Sequence, residues 1–463
     1  MPGLSHNFLI LAIFFFQFII ALYSEPDASR HIKVKLFSHC FYLIFIVQKI
    51  SRKQIDFPFL FSFFVEPGFF CLMWVSKSTS LFIYTLITFL IYATLVYLFQ
   101  VLDFPKPTGK YLVGYKDVFM ENIGNVAVFY PSDQITTDIP WLTDRKYLAT
   151  LLYSSFHTNF PKIIQEIFFF AFGFLQSIPL GVQKDSRLAQ SVQTLDVMVF
   201  SHGLGGNRHG YSAFLKEMAS YGFVIFASDH PEKIIILSRF NLKDLDKMIP
   251  TIKEVRGSQL ERRRETISII LDFIYDEKKI NELFQRNVSV NYEKLMLGGH
   301  SFGGVTSIYT SLLDNRVKGG IICMDPYVFP MKDEFLLKDL NLPLLVINSE
   351  GFDPSIKYAE NMQRIDKLFT ANSEKSRSVN LICRKSDHLH QCDLVFFFPE
   401  FMKLVKFINR KADVLTIIEC NRRVMQFFIE DIVMKGQEAK EVLEKMKNHN
   451  FNGIQGKDIL AIL

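Results

Sequence analysis

Hydrophobic and polar residues are distributed very differently in the first hundred residues and in the rest of the chain. The first part contains four long apolar runs: Phe8–Tyr23, Leu36–Val47, Phe57–Val75 (interrupted by Glu66-Pro67-Gly68) and the uncharged Leu81–Leu102. A helix needs about 20 apolar residues to cross a bilayer. The pattern predicts a membrane region over residues 1–103, with three or four hydrophobic helices.

Two of these runs have a second interpretation. Phe8–Tyr23 resembles the core of a cleaved signal peptide, although no Lys or Arg precedes it. Leu36–Val47 is short enough to be re-entrant or interfacial. Basic residues follow the first run and the second, so the positive-inside rule gives no orientation. We expect a membrane protein, multi-pass or anchored. The pattern does not assign residues 104–435 to one side of the membrane.

Beyond residue 103 charges become regular, and from Leu195 short apolar runs alternate with stretches of helical spacing. The apolar runs predict six strands: Leu195–Ser201, Phe223–Ser228, Lys294–Gly298, Gly319–Met324, Leu342–Asn348 and Val379–Cys383. The helical stretches are Tyr211–Tyr221, Thr251–Tyr275, Val305–Leu313 and Ile356–Phe369. This alternation predicts an α/β domain over residues 104–435, with a mostly parallel sheet covered on both faces. A helical tail is expected over residues 436–463.

Charge and cysteine content exclude several functions. The 463 residues include 52 basic and 47 acidic ones, a net charge of +5 that does not suggest nucleic-acid binding. None of the six cysteines has CxxC spacing, so we predict neither a disulfide framework nor a zinc site.

The sequence Gly299-His300-Ser301-Phe302-Gly303 follows the third predicted strand and precedes a helix. A G-x-S-x-G turn between a strand and a helix is the nucleophile elbow of α/β-hydrolases. The alternative is a glycine turn in which Ser301 only caps the helix. The pentapeptide does not decide between them, because short motifs also occur by chance.

A serine nucleophile needs a base and an acid, and in α/β-hydrolases the chain order is Ser, acid, His. Asp325 closes the fourth predicted strand, although it could instead form a simple turn. Asp314 lies at the far end of the elbow helix and would point away. His388 and His390 both follow the sixth strand, where a base belongs, and the residues alone leave both candidates open.

Stabilising an oxyanion requires two donors, and the N–H of Phe302 is the first. The glycine-rich loop His202–Gly206 follows the first predicted strand and is the expected source of the second, with the N–H of Leu204 as the candidate. We expect His202 and His230 to serve nearby backbone groups.

Several stretches together resemble the plasma and intracellular type II platelet-activating factor acetylhydrolase family, over roughly residues 104–430. They are PTGKYLVGYKD (107–117), VFYPSD (128–133), FSHGLGGNRHGYSAF (200–214), ASYGFVIFASDHPE (219–232), GGHSFGG (298–304), MDPYVFP (324–330), DHLHQCD (387–393) and ADVLTIIECNRRVMQFF (412–428).

The resemblance implies an α/β-hydrolase fold and calcium-independent hydrolysis of short or oxidised acyl groups at the sn-2 position of glycerophospholipids, without cofactor or metal. It implies a Ser301, Asp325 and His388 triad, and an oxyanion hole from Leu204 and Phe302. Family members place an Asp five residues after the catalytic His, and Asp393 stands five residues after His388. Leu394 stands where the family often has Phe.

Residues 159–179 are rich in aromatics, and we expect residues 163–178 to contact the lipid surface in addition to residues 8–102. Core packing and a fifth membrane segment are the alternatives. The alternatives for the whole chain are a broader membrane-bound lipase or carboxylesterase, and a non-enzymatic membrane protein on a hydrolase scaffold. Asn287-Val288-Ser289 is a glycosylation sequon.

Overall fold

The computed structural model describes residues 101–143, 178–230, 245–352, 358–404 and 413–462, together with positions 94, 176 and 408. The predicted membrane runs therefore lie outside the described residues, apart from three positions of the fourth run. The same holds for most of the aromatic stretch 159–179. In the part of the chain that the structure describes, no helix is both long and apolar enough to cross a bilayer.

One large sheet organises the described residues. Its strands are β1 Leu112–Met120, β2 Gly124–Ser132, β3 Gln183–Lys184, β4 Thr194–Ser201, β5 Phe223–Ser228, β6 Ser289–Val290, β7 Met296–His300, β8 Gly320–Met324, β9 Leu344–Gly351, β10 Val379–Asp387 and β13 Leu460–Ile462. Their order is β13-β10-β9-β8-β7-β4-β5-β2-β1-β3, with β6 beside β4. Strands β11 Asn450–Phe451 and β12 Ile454–Gln455 form a separate hairpin.

The six strands from β5 through β4, β7, β8 and β9 to β10 run parallel to one another. These are the six strands that the apolar runs predict, so the expectation of a mostly parallel α/β sheet is confirmed. The antiparallel pairs lie toward its edges, where β2 joins β5 and β1, and β13 joins β10.

Helices connect these strands. They are α1 Ser212–Ser220, α2 Leu245–Tyr275, α3 Glu277–Phe284, α4 Phe302–Ser311, α5 Asp333–Leu336, α6 Tyr358–Ala371, α7 Pro399–Leu404, α8 Val414–Phe427, α9 Ala439–Asn448 and α10 Gly456–Ile459. Strand β4 shows how the sheet is buried: Val197 and Val199 join one hydrophobic cluster, whereas Met198 and Phe200 join the other. Alternate side chains thus face two separate cores, as expected for a parallel sheet covered on both sides.

The C-terminal residues differ from the prediction. Helix α9 lies in the expected helical tail, but the tail does not stay outside the domain. Met446 and Phe451 are buried in the core, and β13 pairs with β10 through Leu381 and Ile462. Helical periodicity could not reveal this, because three residues are too few to predict a strand. The described cysteines, Cys323, Cys383, Cys392 and Cys420, are buried and free.

The order of strands determines what meets at the carboxyl edge of the sheet. Strands β7, β8, β9 and β10 are consecutive neighbours. Ser301 follows β7, Asp325 follows β8 and His388 follows β10. Three residues that are distant in sequence are thereby brought to one edge, where ligands bind in open α/β sheets.

Candidate active site

Ser301 stands on a strained turn that its flanking glycines make possible. Its φ is +56° and its ψ is −118°, a conformation that residues with a side chain rarely adopt. A β-carbon on Gly299 would lie 2.3 Å from the carbonyl oxygen of Gly303, and one on Gly303 would lie 1.9 Å from that of Ser201. Neither position can therefore carry a side chain without moving backbone.

Asp325 and His388 are joined by a hydrogen bond. His388 Nδ1 lies 3.1 Å from Asp325 Oδ2. The Asp325 carboxylate is completely buried and also accepts from the Ser349 backbone N–H and hydroxyl, each at 2.6 Å. Because a carboxylate only accepts, Nδ1 of His388 carries the proton and Nε2 is left as a base. Ser349 was not predicted, although its place near the end of β9, beside the strand of Asp325, is the signal that could have found it.

The imidazole of His388 packs against two other rings. The ring of His300 is 4.3 Å away and that of Phe352 is 4.5 Å away, centroid to centroid. Both are buried, whereas the His388 side chain keeps 28% of its surface exposed. The two rings restrict the orientation of the imidazole while leaving it accessible. Sequence reasoning missed both, since ring packing depends on tertiary contacts.

His390, the second candidate base, is placed differently. It is fully buried, and its Nδ1 accepts the backbone N–H of Asp387 at 3.0 Å. Burial lowers the pKa of His390 to about 4. His388 therefore lies next to Asp325, whereas His390 binds the backbone of the turn on which His388 lies.

The candidate oxyanion donors are both available. Helix α4 begins at Phe302, so the N–H of that residue has no partner within the helix. In the part of the chain that the structure describes, neither this N–H nor that of Leu204 donates a hydrogen bond. The loop of Leu204 is next to the serine, because a β-carbon on Gly203 would lie 3.3 Å from Ser301 Cβ.

The hydroxyl of Ser301 makes no hydrogen bond among the described residues, including to His388. In ligand-free enzymes such bonds are often long and tighten only when substrate binds. The serine is therefore positioned by its backbone, and its oxygen remains available.

Asp393 connects the loop after His388 to the start of helix α1. Its buried carboxylate accepts from the Trp141 indole N–H at 3.0 Å and from the backbone N–H groups of Ser212 and Ala213 at 2.8 and 3.1 Å. Burial raises the pKa of Asp393, and these donors act in the opposite direction. The residue five positions after His388 thus anchors the loop to the start of α1.

His300, Asp325 and His388 place one donor atom each within 4.8 Å of one another, a spacing that metal sites also show. Two of these residues already bond to each other, and Asp325 also accepts twice from Ser349. This is the pattern of an acid that orients a base, so we interpret the group as proton-transfer machinery.

Comparison with known proteins adds a family and a fold. The family model for platelet-activating factor acetylhydrolase, isoform II, matches residues 97–451. The platelet-activating factor acetylhydrolase of Bos taurus is 28% identical over 384 residues, covering 77% of this chain and 83% of the relative. That of Canis lupus familiaris is 27% identical over 353 residues, covering 70% and 76%.

A putative phospholipase A2 of Schizosaccharomyces pombe is 24% identical over 375 residues, covering 66% of this chain and 83% of the relative. Among solved structures, a ferulic acid esterase from Streptomyces cinnamoneus superposes with a TM-score of 0.54 at 15% identity, over 78% of this chain and 98% of the esterase. At that identity the likeness shows the fold alone.

The burial of His390 predicts how stability depends on pH. The unfolded chain takes up a proton at this residue below about pH 6.5, but the folded chain does so only near pH 4. Stability should therefore fall as pH is lowered from 6.5 to 4, by roughly 1–3 kcal/mol from this residue. The thermal unfolding midpoint of the full chain in detergent, measured across this range, should fall less steeply for His390→Gln than for wild type. Parallel curves would show that His390 is not the cause.

Proposed function

The chain belongs to the platelet-activating factor acetylhydrolase, isoform II, family, and from this premise we propose that it is a serine esterase acting on the sn-2 ester of glycerophospholipids. The proposed substrates carry a short or oxidised sn-2 acyl group, as 1-alkyl-2-acetylglycerophosphocholine does. The observation that carries the proposal is the hydrogen bond between the buried Asp325 and His388, at the same sheet edge as the strained turn of Ser301.

The first half of the proposed reaction forms an acyl-enzyme. Nε2 of His388 takes the proton of Ser301 Oγ, which attacks the ester carbonyl carbon. The carbonyl oxygen becomes an oxyanion that accepts from the N–H groups of Leu204 and Phe302. Loss of one such donor typically costs a hundredfold to a thousandfold in rate. The intermediate collapses, His388 gives its proton to the leaving lysolipid oxygen, and the acyl group remains on Ser301.

The second half repeats these steps with water. His388 removes a proton from the water, whose oxygen attacks the acyl-enzyme carbonyl, and the acid leaves as Ser301 regains its proton. Asp325 stabilises the imidazolium in both halves. The neighbouring His300 favours this charge arrangement, because burial holds its pKa well below the ordinary value and keeps that ring neutral.

Removing the nucleophile or the base tests the proposed mechanism. Ser301→Ala should reduce hydrolysis of a phospholipid with an sn-2 acetyl group by at least about ten-thousandfold and abolish fluorophosphonate labelling. His388→Gln should cause a loss of similar order. His390→Gln is the matched comparison from the same turn. Because His390 contacts the turn and not Asp325, this variant should lose far less kcat per folded molecule than His388→Gln. Substantial activity in Ser301→Ala would contradict the mechanism.

Acyl-chain preference distinguishes the proposed function from a broader lipase or carboxylesterase with the same triad. We expect kcat/KM to decline along a series of phosphatidylcholines with sn-2 groups from acetyl to oleoyl, and to recover for an oxidised, carboxylate-ended chain. Pocket shape rather than the triad determines such preferences. A flat series, or equal turnover of triacylglycerol, would favour the broader enzyme.

We further propose that the chain is embedded in a membrane, with the phospholipid substrate reaching the site from that bilayer. The uncharged run Leu81–Leu102 supports this, since it is long enough to span. The full chain should remain in the membrane pellet after alkaline carbonate extraction, and release into the supernatant would contradict the proposal. Asn287 is exposed, so a glycosidase-sensitive mass shift absent from Asn287→Gln would place the hydrolase domain in the lumen.

A further inference from the structure

One peptide group of the oxyanion loop is held at both ends by buried side chains. Its carbonyl, from His202, accepts a hydrogen bond from Arg263 Nη1. Its N–H, from Gly203, donates to the hydroxyl of Tyr211 at 2.9 Å. Because the C=O and N–H of a trans peptide point in opposite directions, the two side chains hold this unit from opposite sides.

The next peptide group is fixed through its carbonyl. The oxygen of Gly203 accepts from the Gly206 N–H at 3.0 Å and contacts His202 Nδ1 at 2.7 Å. A carbonyl only accepts, so His202 Nδ1 carries a proton and donates it. The N–H of this second unit belongs to Leu204 and is the proposed oxyanion donor. With the carbonyl fixed, peptide planarity also fixes the direction of that N–H.

Arg263 also contacts the residue of the other donor. Its guanidinium lies 4.8 Å from the ring centroid of Phe302, within the range of a cation–π interaction. Arg263 is 1% exposed and Phe302 is fully buried. A planar guanidinium can lie on a ring and donate sideways at the same time, which an ammonium group cannot reproduce.

Tyr211 connects the same loop to the base. Its hydroxyl accepts from Gly203, so its own proton is available for His300 Nδ1, which lies 2.8 Å away. His300 is buried and neutral, hence able to accept, and its ring packs against His388. Movement of the Tyr211 hydroxyl would therefore affect both the oxyanion loop and the ring beside the base.

We propose that Arg263 and Tyr211 are positioning residues that clamp the His202–Gly203 peptide and so aim the Leu204 N–H at the developing oxyanion. This inference rests on the proposed esterase function and adds two residues that contact no reacting atom. The oxyanion forms only along the reaction path, so the clamp acts on kcat and not on binding of the ground-state ester.

The test compares Tyr211→Phe and Arg263→Lys with wild type in the full-length protein in detergent. Hydrolysis of p-nitrophenyl butyrate gives kcat and KM, with active sites titrated by a fluorophosphonate so that misfolded molecules are not counted. Each variant should lose about tenfold in kcat at unchanged KM, the value of one well-placed hydrogen bond. Affinity for a trifluoromethyl ketone, whose adduct places an oxyanion in the same hole, should fall by a similar factor.

Tyr130→Phe is the matched control. Tyr130 is buried like Tyr211, but its hydroxyl donates to the Ser186 carbonyl at 2.7 Å. This variant should keep wild-type kcat and ketone affinity, even where its unfolding midpoint falls. The double variant Tyr211→Phe/Arg263→Lys should lose clearly less than the product of the two single losses, because both substitutions release the same peptide.

Unchanged kcat in both single variants, or losses that multiply fully in the double variant, would overturn the clamp. If wild type cleaves p-nitrophenyl butyrate but no phospholipid, the proposed phospholipid substrate is wrong. The kcat values of the variants still test the clamp in that case. If wild type neither cleaves the ester nor reacts with the fluorophosphonate, the esterase and the clamp are both overturned.

Discussion

The backbone of Ser301 is the constraint on which the site depends. Its N–H donates to the Met324 carbonyl at 2.8 Å, and its carbonyl accepts the Tyr327 N–H at 2.9 Å. Asp325 lies between these two partners, so the turn of the candidate acid is attached to the strained turn of the candidate nucleophile by main-chain bonds on both sides. The relative position of the two residues is thereby set by the main chain, and their side chains do not have to bond to each other to keep it.

Much of the fold follows from local sequence patterns. Six apolar runs predict the six parallel strands, and a motif placed between a strand and a helix makes Ser301 the candidate nucleophile, because both features depend only on neighbouring residues. The β1–β2 hairpin was not predicted, since Lys116 and Asp117 interrupt an apolar pattern on a strand near the sheet edge. The residues alone offered two histidines for the base. The spacing to Asp393 that the family resemblance implies favoured His388, and in the structure it is His388 that contacts Asp325.

The parts of the site that could not be predicted depend on contacts between residues that are far apart in the sequence. Arg263 reaches His202 from a helix 61 positions later in the chain, and Ser349 reaches Asp325 across adjacent strands. Neither pairing has a sequence signature, because a long charged helix contains many arginines and strand ends often contain serine. Such residues are found only when the hydrogen-bond partners of each candidate catalytic group are followed outward.

Strand β13 has a practical consequence. Its three residues cover the outer side of β10, the strand that leads to His388, through pairs such as Ile382 with Ala461. Without them, β10 would present unpaired N–H and C=O groups, a template on which a second chain can add. Trimming or crowding the final residues of the chain therefore invites aggregation from the strand that leads to His388.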